Sequence, residues 1–182
     1  MDSFYNKDEL KELGLKSYGN KVLISRKVSL YSPHLISLGN NVRIDDFCIL
    51  SGNIEIGSHI HISAYTALYG SQGIVLEDYS GISPRCTVFS MMDDFSGNYL
   101  IGPIHEKNKI HTVGGIVKLE RYSQIGANTV VFPNVIIGQG TVVGAMSLVN
   151  SSLDSWGIYV GIPVRRLKDR RRDLLNLIDN DL

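Results

Sequence analysis

Residues 119–149 read LERYSQ IGANTV VFPNVI IGQGTV VGAMSL V when cut into sixes. The blocks open at Leu119, Ile125, Val131, Ile137 and Val143, and Val149 opens the next. A strand repeats every second residue and a helix every 3.6, so a strict period of six belongs to neither element alone. It fits a solenoid in which three six-residue sides close one triangular coil, a parallel β-helix. Each opening aliphatic points into the prism. The fifth residue of each block is a second inward one, small or apolar: Ser123, Thr129, Val135, Thr141, Ser147, Leu153. Gly126, Gly138 and Gly144 directly follow an opener and are expected to leave room for tight corners.

Upstream the same frame runs from Leu38 through LGNNVR, IDDFCI, LSGNIE, IGSHIH, ISAYTA and LYGSQG, then from Leu76 through LEDYSG, ISPRCT and VFSMMD. Two-residue slips at Ile36-Ser37 and Ile74-Val75 read as corner insertions, which a solenoid tolerates because each coil touches only its neighbours. The expected fold is all-β, a β-helix of about six coils, in a single domain covering 1–182. Residues 1–20 form an N-terminal helical cap, with Asn6 and Glu9 as a capping box and a helix from Lys7 to Leu13. The β-helix covers 21–164. The period fails between Asp93 and Ile116, and a stretch that long without a period reads as a functional arm, about 94–116, standing off the rod. A C-terminal segment, 165–182, is expected to be helical from about Lys168 to Asp179, with Leu174, Leu175 and Ile178 on one face.

Eighteen basic and eighteen acidic residues cancel in a chain of 182, which argues against a nucleic-acid partner or an anionic membrane surface. No run is long enough for a transmembrane helix, and MDSFYNKDEL lacks the pattern of a secretory signal. Cys48 and Cys86 make no disulfide framework and point to a reducing cytoplasm. Both fall at inward fifth positions, so buried, inert thiols are expected. The sixes start earlier, near Ile24, with ISRKVS and LYSPHL; His34, fifth in the second of these, reads as a satisfied interior histidine, and Trp156 as packing on the last coil.

The repeat, the interrupting arm and the tail Gly161-Ile162-Pro163-Val164-Arg165-Arg166 together resemble the hexapeptide-repeat acyltransferases. Asp93-Asp94-Phe95-Ser96-Gly97, Glu106-Lys107 and Val143–Val149 resemble a branch from bacterial O-antigen and capsule gene clusters that includes acyltransferases acting on dTDP-4-amino-4,6-dideoxyglucose. The resemblance implies a left-handed coil, a homotrimer, and acetyl-CoA lying along the groove between two prisms beside a sugar or nucleotide-sugar acceptor. It implies that Gly126, Ala127, Gly144, Ala145 and Ser147 meet the pantetheine arm through their backbone. Pro163, Arg165 and Arg166 match the end of the groove, where basic side chains meet the nucleotide phosphates. No metal is implied.

Galactoside-type members of the family carry a histidine where the arm leaves the prism. This chain has Phe89-Ser90-Met91-Met92-Asp93-Asp94 there instead. A sugar hydroxyl needs a positioned base, whereas an amine is a good nucleophile once its ammonium proton is gone. Asp93 and Asp94 therefore suit an amino sugar, with direct attack on the thioester in a ternary complex. His105 and His111 in the arm, carried to a neighbour's groove by three-fold assembly, and His61 are the other candidates for the base. Tyr65, Tyr69, Tyr79, Tyr99 and Phe95 are candidates for an apolar wall. The alternatives are O-acetylation of a saccharide, a γ-type carbonic anhydrase using His59 and His61, and a solenoid that only binds.

Overall fold

The structure, a computed structural model, describes residues 3–178. The short helix Lys7–Glu12 starts as its sequence dictates. The Asn6 side chain accepts from the backbone N–H groups of Asp8 and Glu9, and Glu9 accepts in return from the Asn6 N–H. Leu10, its one buried residue, plugs the open end of the first coil.

Behind it rises a three-sided left-handed parallel β-helix. The first face stacks Leu23–Ile24, Val42–Ile44, Ile60–Ile62, Gly81–Ile82, Gln124–Ile125, Val142–Val143 and Gly157–Gly161. Seven coils are thus present among the described residues, one more than the periodicity gives, because Gly157–Gly161 closes a further turn. The second face carries Thr87–Phe89 between Ala67–Tyr69 and Val130–Val131. The third carries Val117–Leu119 between Ile74–Leu76 and Ile136–Ile137.

The block openers from Leu119 to Val149 are wholly buried, as are Ser123, Thr129, Val135 and Thr141 at fifth positions. Each interior aliphatic stabilises the prism by about 1.5–3 kcal/mol through area removed from water. Cys48 and Cys86 lie in the same core, and burial pushes the Cys48 thiol up to about 11 and raises that of Cys86 as well.

The corners are made differently from the sequence expectation. The left-handed backbone conformation falls on the fourth residue of a block, and most of these are not glycine: Phe47, His59, Tyr65, Tyr79, Arg85, Tyr122, Asn128 and Met146 all have positive φ. Gly126 and Gly138, at the second position, are needed for a different reason. A Cβ on Gly126 would lie 2.6 Å from the Ala145 nitrogen, and one on Gly138 2.6 Å from that of Ser155. It is the next coil that excludes a side chain there.

Two other expectations change. His34 is exposed, because Pro33–Leu35 winds into a 3-10 turn and breaks the block. The segment expected to be helical from Lys168 instead begins as a strand, Val164–Asp169, paired antiparallel with Gly157–Gly161. The final rung leaves an unpaired edge, and satisfying its backbone groups outweighs the helix propensity of the charged run. Helix remains only at Leu175–Ile178, with Leu174, Leu175 and Ile178 half-buried; Asp179 lies outside the described residues. The arm stands on a two-stranded base in which Met91–Asp93 pairs antiparallel with Thr112–Gly114.

Candidate active site

On the first face every second residue points outward, and register stacks equivalent positions one coil apart. One outward row runs Arg43, His61, Gly81, Gln124 and Val142. The row at the adjoining corner runs Asp45, Ser63, Ser83, Gly126, Gly144 and Val160. It is tied by backbone bonds from Ser63 to the Ile82 carbonyl, Ser83 to Ile125, Gly126 to Val143 and Gly144 to Tyr159. Across the antiparallel pair Arg165 stands opposite Val160, and so continues this second row.

The tail arginines part here. Arg166 stands opposite the buried Tyr159. It donates to the Tyr159 hydroxyl at 3.1 Å and to Asp169 at 2.7 Å, and these partners raise its pKa. It closes the end of the prism. Arg165 is exposed, and no ion pair or hydrogen bond engages its guanidinium among the described residues. Pro163 and Ala145 are exposed and Ala127 is half-buried, whereas Ser147 is buried and accepts from the Gly161 N–H. At Gly144 a Cβ would meet the Val160 side chain at 2.7 Å, so packing accounts for this glycine too.

The two aspartates also part. One Asp94 oxygen accepts from the Ser96 N–H at 2.8 Å and the other pairs with His111 Nδ1 at 2.9 Å, while the Asp94 N–H donates to the His111 carbonyl. Those bonds, that from Ser96 first, lower the Asp94 pKa. His111 packs beside Tyr99, so Asp94 and His111 form a clasp inside the arm. Asp93 is half-buried at the strand end, and its carboxylate has no hydrogen-bond or ion-pair partner among the described residues. His105 lies farther out on the arm, half-buried.

His61 Nε2 lies 2.7 Å from Asp45, whose other oxygen accepts from Arg43. Burial acts to raise the Asp45 pKa, but the bonds from Arg43 and His61 outweigh it and the net shift is downward. An ionised Asp45 only accepts, so His61 donates to it through Nε2. His59 is occupied in a stack on Tyr79. Among the described residues no group of three or more His, Cys, Asp or Glu could hold a metal ion, and no helix is long and apolar enough to cross a membrane.

Sequence reasoning misses Ser83. It holds the second position of its block, as Gly126 and Gly144 do, and reads as one more small corner residue. Its hydroxyl accepts from the Gln124 amide at 3.2 Å. The tyrosines are dispersed: Tyr65 stacks on Phe47, Tyr69 on Phe89 and Tyr79 on His59, so they build no single wall.

The chain matches no family model. It is 37% identical over 178 residues to the dTDP-4-amino-4,6-dideoxy-D-glucose acyltransferase of Escherichia coli, covering 96% of this chain and 93% of that protein. It is also similar to AntD, an N-acyltransferase from Bacillus cereus. A crystal structure of AntD with dTDP and 3-hydroxybutyryl-CoA is 53% identical, with a TM-score of 0.97 over 100% of this chain and 97% of that one. Other AntD structures carry a substitution of one serine, with dTDP-4-amino-4,6-dideoxyglucose and coenzyme A bound, or of an aspartate ten positions later, with dTDP and coenzyme A bound. A hexapeptide transferase family protein from Anaplasma phagocytophilum, 13% identical with a TM-score of 0.59 over 90% of each chain, shares the fold. Identity over nearly the whole of a curated enzyme, on the same uninterrupted stack of coils, makes this chain a member of the hexapeptide-repeat dTDP-4-amino-4,6-dideoxyglucose acyltransferases, enzymes that use an acyl-CoA.

Proposed function

We propose that the chain transfers an acyl group from acyl-CoA to the amino group of a dTDP-linked 4-amino-4,6-dideoxy sugar, working as a homotrimer in the cytoplasm on a precursor of a surface glycan. The observation that carries the reading is the corner row from Ser83 through Gly126 and Gly144 to Arg165. It offers a hydroxyl at one end, small half-buried residues along its length and, at the other, a guanidinium unpaired among the described residues. Pantetheine would lie along Gly126, Ala127, Gly144 and Ala145, with Arg165 on the nucleotide phosphates. Arg166 supports the strand, and Ser147 and Pro163 shape its end.

Ser83 and Asp93 stand ten positions apart, the separation of the serine and aspartate substituted in AntD. Ser83 lies at one corner of the second face, and Asp93 lies past the opposite corner, on the arm strand Met91–Asp93. That face is on the order of 15–20 Å wide, since about six residues cross it at roughly 3.3 Å each. A single acceptor touched by both therefore lies between two prisms, which supports the trimer. Asp93 of one copy would hold the acceptor ammonium and take its proton toward water. The freed amine attacks the thioester carbonyl, the C–N bond forms, and the oxyanion collapses with loss of CoA thiolate, which takes up the proton the amide nitrogen sheds. Asp94 and His111 keep the arm folded; His105 has no assigned contact.

The test is CoA thiol release from acetyl-CoA and 3-hydroxybutyryl-CoA, with dTDP-4-amino-4,6-dideoxyglucose or simple hydroxyl sugars as acceptor. Release with the amino sugar alone supports the reading. A second reading, O-acylation, is favoured by the His61–Asp45 pair, which has the form of a base for a hydroxyl. Release with hydroxyl acceptors alone would replace the first reading with it.

A further inference from the structure

Gln124 and Gly81 face each other on the outward row of the first face. A Cβ on Gly81 would lie 2.5 Å from Gln124 Oε1 and 3.4 Å from its Cδ. The carboxamide therefore lies flat over the glycine, in space that any other residue would fill, and its Nε2 reaches Ser83 Oγ at 3.2 Å and the Ile125 carbonyl at 3.3 Å.

The direction of these bonds follows from chemistry. A backbone carbonyl only accepts, so the contact with Ile125 fixes the amide nitrogen, rather than its oxygen, on this side. Both Nε2 hydrogens are then used, and Ser83 Oγ must accept one of them. The Ser83 hydroxyl hydrogen is left over, and no acceptor engages it among the described residues. It is free to turn outward into the groove.

We propose that Gln124 is a positioning residue, seated by the missing side chain of Gly81, that presets the Ser83 hydroxyl as a donor to the carbonyl oxygen of the bound thioester and to the oxyanion that follows. This rests on the reading that Ser83 lines the acyl-transfer groove. A donor aimed before the charge develops needs no reorganisation when the charge appears, which is the source of oxyanion-hole catalysis.

The bond direction supplies the test. Gln124→Leu removes the amide and lets the hydroxyl rotate. Gln124→Glu puts an acceptor-only carboxylate in its place, which draws the Ser83 hydrogen back and away from the substrate. Removing one oxyanion donor costs about 10²–10³-fold in kcat, so Gln124→Glu is expected to approach the loss seen in Ser83→Ala. Gln124→Leu and Gly81→Ala are expected to lose clearly less, with KM for acyl-CoA nearly unchanged. In a Ser83→Ala background neither Gln124 substitution should lower kcat further. Equal effects of Leu and Glu, or effects that persist without Ser83, would overturn the proposal. If Ser83→Ala itself keeps full kcat, the reading of the groove fails instead, so the two failures are distinct.

Discussion

Two adjacent carboxylates should answer substitution in opposite ways. Asp94 spends both oxygens on Ser96 and His111, while Asp93 spends neither on another described residue. Asp93→Asn keeps shape and the strand pairing with Thr112 but removes the charge that would hold an ammonium and accept its proton. A positioned acid or base contributes about 10²–10⁴-fold, or roughly 3–5 kcal/mol of barrier, so kcat with the amino sugar should fall by about that factor at neutral pH. The defect should shrink as pH rises, because solvent then deprotonates the amine unaided. Asp94→Asn keeps the Ser96 bond and a neutral contact with His111, so its loss should be far smaller and should appear as a looser arm. Steady-state thiol release at several pH values, beside limited proteolysis of the arm, reads both effects. An Asp94→Asn enzyme more damaged than Asp93→Asn while its arm stays protected would refute the division of labour, and an active double variant would remove both aspartates from the chemistry.

Ser123 Oγ is buried with no hydrogen-bond partner among the described residues, whereas Thr141 Oγ1 donates to the Asp154 carbonyl at 2.6 Å. Ser123→Ala should therefore hold or raise the melting temperature, while Thr141→Val should lower it by about 2–8 °C, from roughly 1–2 kcal/mol at about 2–4 °C per kcal/mol for this size. Arg165→Ala should raise KM for acyl-CoA about 10–100-fold, the worth of a charge-assisted phosphate contact, while Arg166→Ala should mainly lower thermal stability. Because the folded pKa of Asp94 is lowered, the stabilising effect of its ionised form is complete above the unfolded value of about 3.9. It is lost as pH falls through the lower folded value, and the protection factors of amides 94–111, corrected for intrinsic exchange, should fall in that window.

The prism was legible because its signal repeats. Leu119 to Val149 state one geometric rule six times, and an error at any single block would be outvoted. Local chemistry was legible where one residue suffices, as at Asn6 with Glu9. What failed was whatever depends on a neighbour in the next coil. Gly126 looks like a corner glycine until the Ala145 nitrogen beneath it is known. Arg165 and Arg166 read alike until pairing sets one opposite Val160 and the other opposite buried Tyr159. Lys168 onward reads as helix because nothing in it announces the unpaired edge it will cover. The contact at Ser83 lay hidden for the same reason, since its partner Gln124 is 41 positions away.

The spacing of the corner row bears on which end of the ligand lies where. From Ser83 through Gly126, Gly144 and Val160 to Arg165 there are four rungs, about 19 Å at roughly 4.8 Å each. Some thirteen bonds separate the thioester sulfur of a CoA from the first phosphorus. At the advance per bond of an extended peptide, about 1.1–1.2 Å, these reach on the order of 15 Å. The arginine side chain covers the difference by reaching back along the groove. A thioester at the level of Ser83 thus sets the phosphates within reach of Arg165. A thioester lowered to the level of Gly144 would carry the phosphates past the last rung. With pantetheine along this row, as proposed above, the span would put the acyl end toward Ser83 and Gly126 and the phosphates toward Arg165.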